Sequence, residues 1–453
     1  MREAAGRMRP GSAPGPYVSS CFHCGCGSQD HRIGSGSSCG RPLMYFAYRR
    51  HATNNSLVPV SLALLLVSFA LLLKGTIQFF APGAGQDFWY RWSAQQYVAA
   101  HIDPFRVAFY ASDNAQALPP DIPRQLAEYA GNPVSAVDPP WVFAFSAPLH
   151  AASRPLAPIA FVSFQYVALV VAILCTRVIS RPLAPGQTVL LISLFLANQA
   201  FGETILNGNL GILTLAAIAC YFALQRRSVW LASGTALAVA QLKTTIGAPL
   251  VLVALVERKI LSVGTAAAIL LLATSWTRFT LGIDYAGLFQ RMLDGVGRYS
   301  VGGLSPHKGL MLLGLDKNLS IATSGILILA IAAILEWRWR RDSIAQMGIF
   351  AVCSRVFTYH LVIDNVVMAF LVMAMAITWI ESGMAPRAGI ILGGLVVSLL
   401  LPARLTEITA VGIGQQLFWL VALAVLLHAR RGRAVAPATT AHLGHSPHAQ
   451  AAT

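Results

Sequence analysis

The chain alternates long, largely apolar runs with short clusters of basic residues. Such runs fall near 57–80, 156–178, 187–201, 208–224, 260–281, 319–336, 343–356, 358–380, 388–401 and 408–428. A helix that crosses a bilayer needs roughly 20 such residues, so each run is predicted to be a membrane helix or most of one. The stretch 229–256 is different. It is too short for two full crossings, yet the pairs Arg226/Arg227 and Arg258/Lys259 that flank it belong on one side if positive charge marks the cytoplasm. We therefore expect it to enter and return, as a re-entrant pair or two short tilted helices with Lys243 near the turn. Backbone that breaks at that depth is tolerated only where protein buries it or a wet cavity receives it. The pattern predicts an all-α polytopic membrane protein of about eleven or twelve transmembrane helices, with both termini cytoplasmic.

Composition agrees. Of 453 residues, 56% are hydrophobic and 11% charged, with a mean hydropathy of +0.61; soluble domains carry about 25% charged residues. The net charge of +15 fits nucleic acid only if the basic residues form a patch. Instead they sit between spans, at Arg49/Arg50, Arg338/Arg340/Arg341 and Arg430/Arg431/Arg433, as cytoplasmic loops do. Nucleic acid is not an expected partner.

Residues 1–45 hold Cys21, Cys24, Cys26 and Cys39 beside His23 and His31, a spacing compatible with a zinc knuckle. Their Gly/Ser/Arg-rich composition without apolar periodicity reads instead as a disordered or spurious extension, with Met44 as an alternative start. The folded membrane domain is expected over 46–433 and a disordered cytoplasmic tail over 434–453. Cys175, Cys220 and Cys353 read as packing residues.

This topology puts four segments on the non-cytoplasmic side: the loop 81–155, the Lys243 turn, the loop 282–318 and the start of the 358–380 span. The first opens with "DFWYRWSAQQY". As a helix, 87–99 places Phe88, Trp89, Trp92 and Gln96 on one face and Asp87, Arg91, Ala94 and Val98 on another, the pattern of an amphipathic helix in the membrane interface. Asp87 is either the cap of that helix, paired with Arg91, or an active acid. Lys243 lies within an apolar stretch, where an uncompensated charge costs roughly 3 kcal/mol or more. It either snorkels to the interface or serves as a cation for a phosphate. His360 and Asp364, spaced i, i+4, either satisfy each other between packed helices or line the same cavity. Asn207 and Asn209 in "NGNLGIL" suit a sugar contact or an ordinary helix start, and Arg291, Arg298, His307 and Lys308 offer charge to anionic headgroups. The membrane region shows neither metal-ligand spacing nor a Walker-type loop, so ATP-driven transport is not expected.

"DFWYRWSAQQYVAAHIDPF", "DPPWVFAFSAPL", the stretch from "NGNLGIL" through "QLKTTIGAPL" to "ERK", and "YHLVIDNVVMAFL" resemble, in that order, the ordered motifs of glycosyltransferase family 87. These are the polyprenol-phosphate-mannose-dependent mannosyltransferases of the GT-C superfamily. The resemblance covers about 57–380. It departs from the usual pattern at Asn209 (commonly Gln), Thr244 (often Pro) and Ile363 (commonly Tyr).

The resemblance implies a GT-C-like bundle in which Asp87 is the general base for an inverting transfer on the extracytoplasmic face. The donor would be a polyprenyl-phosphate sugar drawn from membrane lipid, and the acceptor a glycolipid or polysaccharide. Lys243 and His360, then Arg298 and Arg91, are the candidates for the leaving phosphate. Trp89, Trp92, Trp141, Asn207, Asn209 and Asp364 are the candidates for substrate contact. No metal or cofactor is called for. A transporter or flippase of lipid-linked sugars would need similar polar groups, but its internal repeats and paired broken helices are not evident in the sequence. A non-catalytic assembly subunit would leave the polar residues without a common side.

Overall fold

The computed structural model describes residues 54–431 apart from 114–118, 132–137, 181–182, 226–228, 300–305, 357–360 and 407. The expectations for 1–45, including the Cys/His set, and for 434–453 lie outside the described residues. Every described regular element is helical. The helices are α1 (Asn54–Phe79), α2 (Gln86–Ala99), α3 (Pro104–Asp113), α4 (Arg124–Ala130) and α5 (Pro140–His150). Then come α6 (Ala157–Ile179), α7 (Pro185–Leu196), α8 (Ala200–Asn207), α9 (Gly211–Leu224), α10 (Trp230–Ala240) and α11 (Thr244–Val256), the last two joined by a 3₁₀ turn, Gln241–Lys243. The chain continues through α12 (Ile260–Leu281), α13 (Tyr285–Tyr299), α14 (Pro306–Leu312), α15 (Lys317–Trp339) and α16 (Ser343–Val356). A 3₁₀ segment, Val362–Met368, leads into α17 (Ala369–Glu381), followed by α18 (Pro386–Leu400), α19 (Ala403–Thr406) and α20 (Thr409–Arg431).

Among the described residues, seven helical runs are long and apolar enough to cross a membrane. An eighth span forms if α7 and α8 act together across a 50° bend, and α9, α16 and α18 are shorter apolar helices. The chain is an all-α polytopic membrane protein. Its outer residues are apolar as well (Leu66, Phe69, Leu272, Phe279 and Ile390 are exposed), because lipid rather than water covers them.

The run Trp230–Val256 passes as one crossing by length and composition, but its two ends meet. Lys259 Nζ donates to the Gln225 carbonyl at 2.6 Å, and the Tyr221 hydroxyl donates to Glu257 at 3.0 Å. At the opposite end, a Cβ on Gly247 would lie 2.2 Å from the Ala240 carbonyl oxygen, a distance no continuous helix gives to residues seven apart. The stretch therefore runs in through α10, turns at Gln241–Lys243 and returns through α11, as its length and flanking charges predict. Gln241 stabilises the turn by donating from Nε2 to the Gly247 carbonyl at 2.9 Å.

The end to which this hairpin returns gathers the basic clusters. The Arg258 guanidinium lies over the Trp337 ring at 6.0 Å, and Arg430 pairs with Asp342 and with Glu381. Burial pushes the Glu257 carboxyl above its ordinary range and the Lys259 ammonium below its own, each partly offset by the other's charge.

At the other end, glycine contacts set the register between the first span and the middle of the chain. A Cβ on Gly75 would sit 2.2 Å from the Gly202 carbonyl oxygen, and one on Gly202 would sit 2.4 Å from that of Leu71. Helices α1 and α8 thus cross backbone to backbone, as small residues permit in membranes. Just beyond α1, the Gly85 N–H donates to the Leu206 carbonyl at 3.0 Å, which ties the start of α2 to the end of α8. Helix α2 stands where the amphipathic helix is expected, but protein covers both of its faces. Phe88, Trp92, Tyr97 and Val98 are buried, and only Gln86 and Ala99 are exposed, because α4, α5 and α8 pack around it. Helix α13, by contrast with α2, shows an open apolar side, with Tyr285, Phe289 and Leu293 exposed and Leu288 buried.

Candidate active site

The site begins with how α8 ends. The Asn209 N–H donates to the Thr204 carbonyl and the Gly208 N–H to that of Ile205, each at 2.9 Å. This is the paired hydrogen-bond pattern of a Schellman C-cap, with Gly208 in the left-handed region at φ 71°. The "NGN" of the sequence is therefore a helix stop. It turns the Asn209 side chain out of α8 just before α9 begins, and the Gly211 N–H at that start donates to Asn209 Oδ1 at 3.1 Å.

A Cβ on Gly208 would lie 2.3 Å from Phe88 Cβ, so this glycine also lets α2 approach. Gly208→Ala is expected to pay twice: about 1–2 kcal/mol for a side chain at positive φ, and a forced shift of Phe88 and its neighbour Asp87. The checks are thermal unfolding in detergent and transfer activity. A variant with wild-type values in both would show that the close approach is not needed.

Asp87 is not the helix cap. Gly85 holds that position with φ 67° and makes no side-chain cap bond; Asp87 lies inside the first turn, where the helix dipole favours an anion. Its Oδ2 accepts from Asn209 Nδ2 at 2.7 Å across 122 residues of sequence. Asn209 Oδ1 accepts in turn from Lys243 Nζ at 2.8 Å. Lys243, raised on the re-entrant turn, forms an ion pair with Asp364, and the two side chains are 16% and 4% exposed. Asp364 Oδ2 also accepts the Leu361 N–H at 2.9 Å. Four polar residues from four separate segments thus form one chain of contacts: Asp87, Asn209, Lys243, Asp364.

Arg91 does not pair with the Asp87 carboxylate. Its Nε donates to Asp138 at 2.8 Å, and its Nη1 reaches the carbonyls of Asp87 and Gly208 at 3.3 Å each. Burial disfavours the guanidinium charge, but the carboxylates of Asp138 and then Asp87 outweigh it and hold Arg91 above its ordinary range. Arg91 therefore fastens the floor of the site with its charge already balanced by Asp138. Asp138 opens "DPPW", and Trp141 of the same motif donates from Nε1 to the Gln241 carbonyl at 2.9 Å, which braces the Lys243 turn.

The other sequence candidates are distributed unevenly. Trp89 is partly exposed, with Arg154 over its ring at 5.9 Å. Trp92 is 1% exposed and bonded to the Ala152 carbonyl at 3.4 Å, so its ring faces protein and is not open to a sugar. Asn207 donates back to the Glu203 carbonyl at 2.8 Å, within its own helix. His360 lies outside the described residues. So does the Arg298 side chain, although its backbone is part of α13. Asp364 stands in the 3₁₀ segment before α17 rather than in mid-helix. Arg291 pairs with Asp103, whose Oδ1 also accepts the Phe105 N–H, and so joins α13 to the start of α3. Sequence reasoning passed over the roles of Asp138, Gln165 and Asn365. Gln165 donates to the Asn209 carbonyl at 2.7 Å, and Asn365 receives the buried Arg355 guanidinium. The one available signal for Asp138 was its place at the head of a Pro-Pro motif. A glutamine and an asparagine inside apolar runs have no sequence signature that separates packing from site.

Among the described residues no group of three or more His, Cys, Asp or Glu side chains is arranged to hold a metal ion. What the arrangement offers is a carboxylate held within reach of a cation, at the same end of the bundle.

No curated protein and no solved structure matches the chain. The sequence profile of glycosyltransferase family 87, however, matches residues 137–364. That span starts at the residue before Asp138, ends on Asp364 and takes in Asn209 and Lys243; Asp87 precedes it. Half of the chain, including every partner of the polar network beyond Asp87, is therefore family sequence, and the protein belongs to glycosyltransferase family 87.

Proposed function

We propose that this glycosyltransferase moves a hexose, mannose by the family resemblance, from a polyprenyl-phosphate donor to an acceptor hydroxyl on the extracytoplasmic face, with inversion. The contact chain from Asp87 to Lys243 is the observation that carries this reading. The acceptor oxygen attacks the anomeric carbon, its proton passes to Asp87 Oδ1, the bond from that carbon to the phosphate oxygen breaks, and the lipid phosphate leaves with the electron pair. A base must lie within hydrogen-bond reach of the acceptor hydroxyl, and Asn209 occupies only the other oxygen, Oδ2. The developing phosphate charge needs a fixed cation. An ammonium has three N–H donors; Asn209 and Asp364 account for two on Lys243, and the third is assigned to the phosphate. Trp89 and Trp141, both partly exposed, are the candidates to stack on the sugar. A glycolipid or a polysaccharide at this face supplies the hydroxyl.

The gathering of Arg258, Lys259 and Arg430 at the end away from Asp87 supports an extracytoplasmic site in the inner membrane by the positive-inside rule. The test has two arms. Purified protein is given polyprenyl-phosphate mannose and an alkyl mannoside, and a new glycosidic bond is expected; relocation of the lipid-linked sugar without that bond would favour the transporter alternative. In intact cells, and in a background without the native cysteines, an impermeant maleimide should label Ala99→Cys, exposed at the end of α2, and not Arg341→Cys. The opposite labelling would reverse the assigned side.

A further inference from the structure

We infer that Asn209 is a positioning residue that locks the base to the phosphate-binding cation, rather than a sugar contact. The inference rests on the reading of Asp87 and Lys243 given above. The Asn209 amide has only one workable orientation. Two donors, the Lys243 ammonium at 2.8 Å and the Gly211 N–H at 3.1 Å, both face its oxygen. The NH₂ must therefore point the other way, to Asp87 Oδ2 at 2.7 Å. A cation drawing on the amide oxygen strengthens the hydrogen bond that the amide nitrogen donates to the carboxylate.

The backbone of Asn209 is fixed as firmly as its side chain. Its N–H is bound to the Thr204 carbonyl at 2.9 Å, its carbonyl accepts from Gln165 at 2.7 Å, and the residue is 4% exposed. A side chain so fully engaged and so buried has little left for a substrate, but it fixes where Asp87 Oδ1 points. It also links the two halves of the reaction, because the ammonium that meets the leaving phosphate holds the group that orients the base.

Substitutions separate these roles. Asn209→Asp keeps an oxygen for Lys243 and Gly211 but replaces the donor facing Asp87 with a second carboxylate oxygen. Asn209→Leu removes both contacts, and Asn209→Gln keeps both chemical groups on a longer arm. We expect Asn209→Asp to lose about 10²-fold in kcat, the scale of a reacting group misplaced by an ångström. Its KM for polyprenyl-phosphate mannose should stay within about threefold of wild type, since its Lys243 contact survives. Asn209→Leu should lose kcat and raise the donor KM together, and Asn209→Gln should recover at least about tenfold over Asn209→Leu.

Asn209→Asp with wild-type kcat, or with its loss confined to the donor or acceptor KM, overturns the inference. If Asn209→Asp does not fold, equal activity of Asn209→Gln and Asn209→Leu overturns it. Failure of the underlying reading looks different: Asp87→Asn would retain wild-type kcat. An inactive Asp87→Asn beside an unaffected Asn209→Asp removes only the role given to Asn209.

Discussion

Asp87→Asn is expected to lower sugar transfer by roughly 10²- to 10⁴-fold, the range a positioned general base contributes, with little change in folding. The reason lies in the geometry of one side chain. An amide at position 87 has the same shape as the carboxylate and still presents an oxygen to Asn209 Nδ2, now 2.7 Å away. Exchanging the ionised acceptor for a hydrogen-bonded neutral one alters stability by about 1–2 kcal/mol. What the variant lacks is the ability to take a proton from the acceptor hydroxyl. Transfer to an alkyl mannoside at saturating donor, together with thermal unfolding in detergent, reads both quantities. Near-normal kcat would remove Asp87 from the chemistry, while loss of the fold would return it to a structural role in the first turn of α2.

Lys243→Met carries the second large effect, and a compensating change at Asp364 should rescue stability but not activity, which isolates the pair. Asp364 is almost wholly enclosed and Lys243 nearly so. Removing Lys243 takes from Asp364 its ion-pair partner, while the buried Arg355 guanidinium still interacts with that carboxylate, so the cost is up to about 3–5 kcal/mol. The double change Lys243→Met with Asp364→Asn removes both charges and keeps an acceptor for the Leu361 N–H, which now bonds Asp364 Oδ2. Most of the stability should return. Activity should not, because the cation assigned to the leaving phosphate is still missing. Thermal unfolding of the two single variants and the double variant forms a mutant cycle. Purely additive losses would mean that the pair is not coupled, and a double variant with restored transfer would take Lys243 out of the phosphate site.

The two effects meet on Asn209. It touches the base on one side and the cation on the other, so the site is better regarded as one connected unit than as separate binding and catalytic parts. The surrounding contacts serve that unit. Trp141 braces the Lys243 turn through the Gln241 carbonyl, and Asp138 neutralises Arg91 beneath Asp87. Ser354 donates to the Ile246 carbonyl at 3.1 Å, which ties α11 to α16 beside the same turn.

The sequence by itself determined the class of this protein and much of its layout. Apolar runs of membrane-spanning length, low charge and basic clusters at their ends are local properties, readable without knowing which helices touch. The re-entrant path of 229–256 was also legible, since the stretch is too short for two full crossings while its flanking basic residues belong on one side. The sequence also offered Asp87 as the base and Lys243 and His360 for the phosphate, with Asn209 and Asp364 among several candidates for substrate contact. What only the tertiary structure decided is how they meet. Lys243 faces Asp364, Arg91 takes Asp138 rather than Asp87, and Trp92 turns inward. Those outcomes follow from helix crossings, such as Gly75 on Gly202 and Gly208 on Phe88, where the absence of a Cβ on one helix sets the distance to another far away in sequence. Periodicity records which face of a helix is apolar. It holds no record of which distant polar group that helix will be packed against.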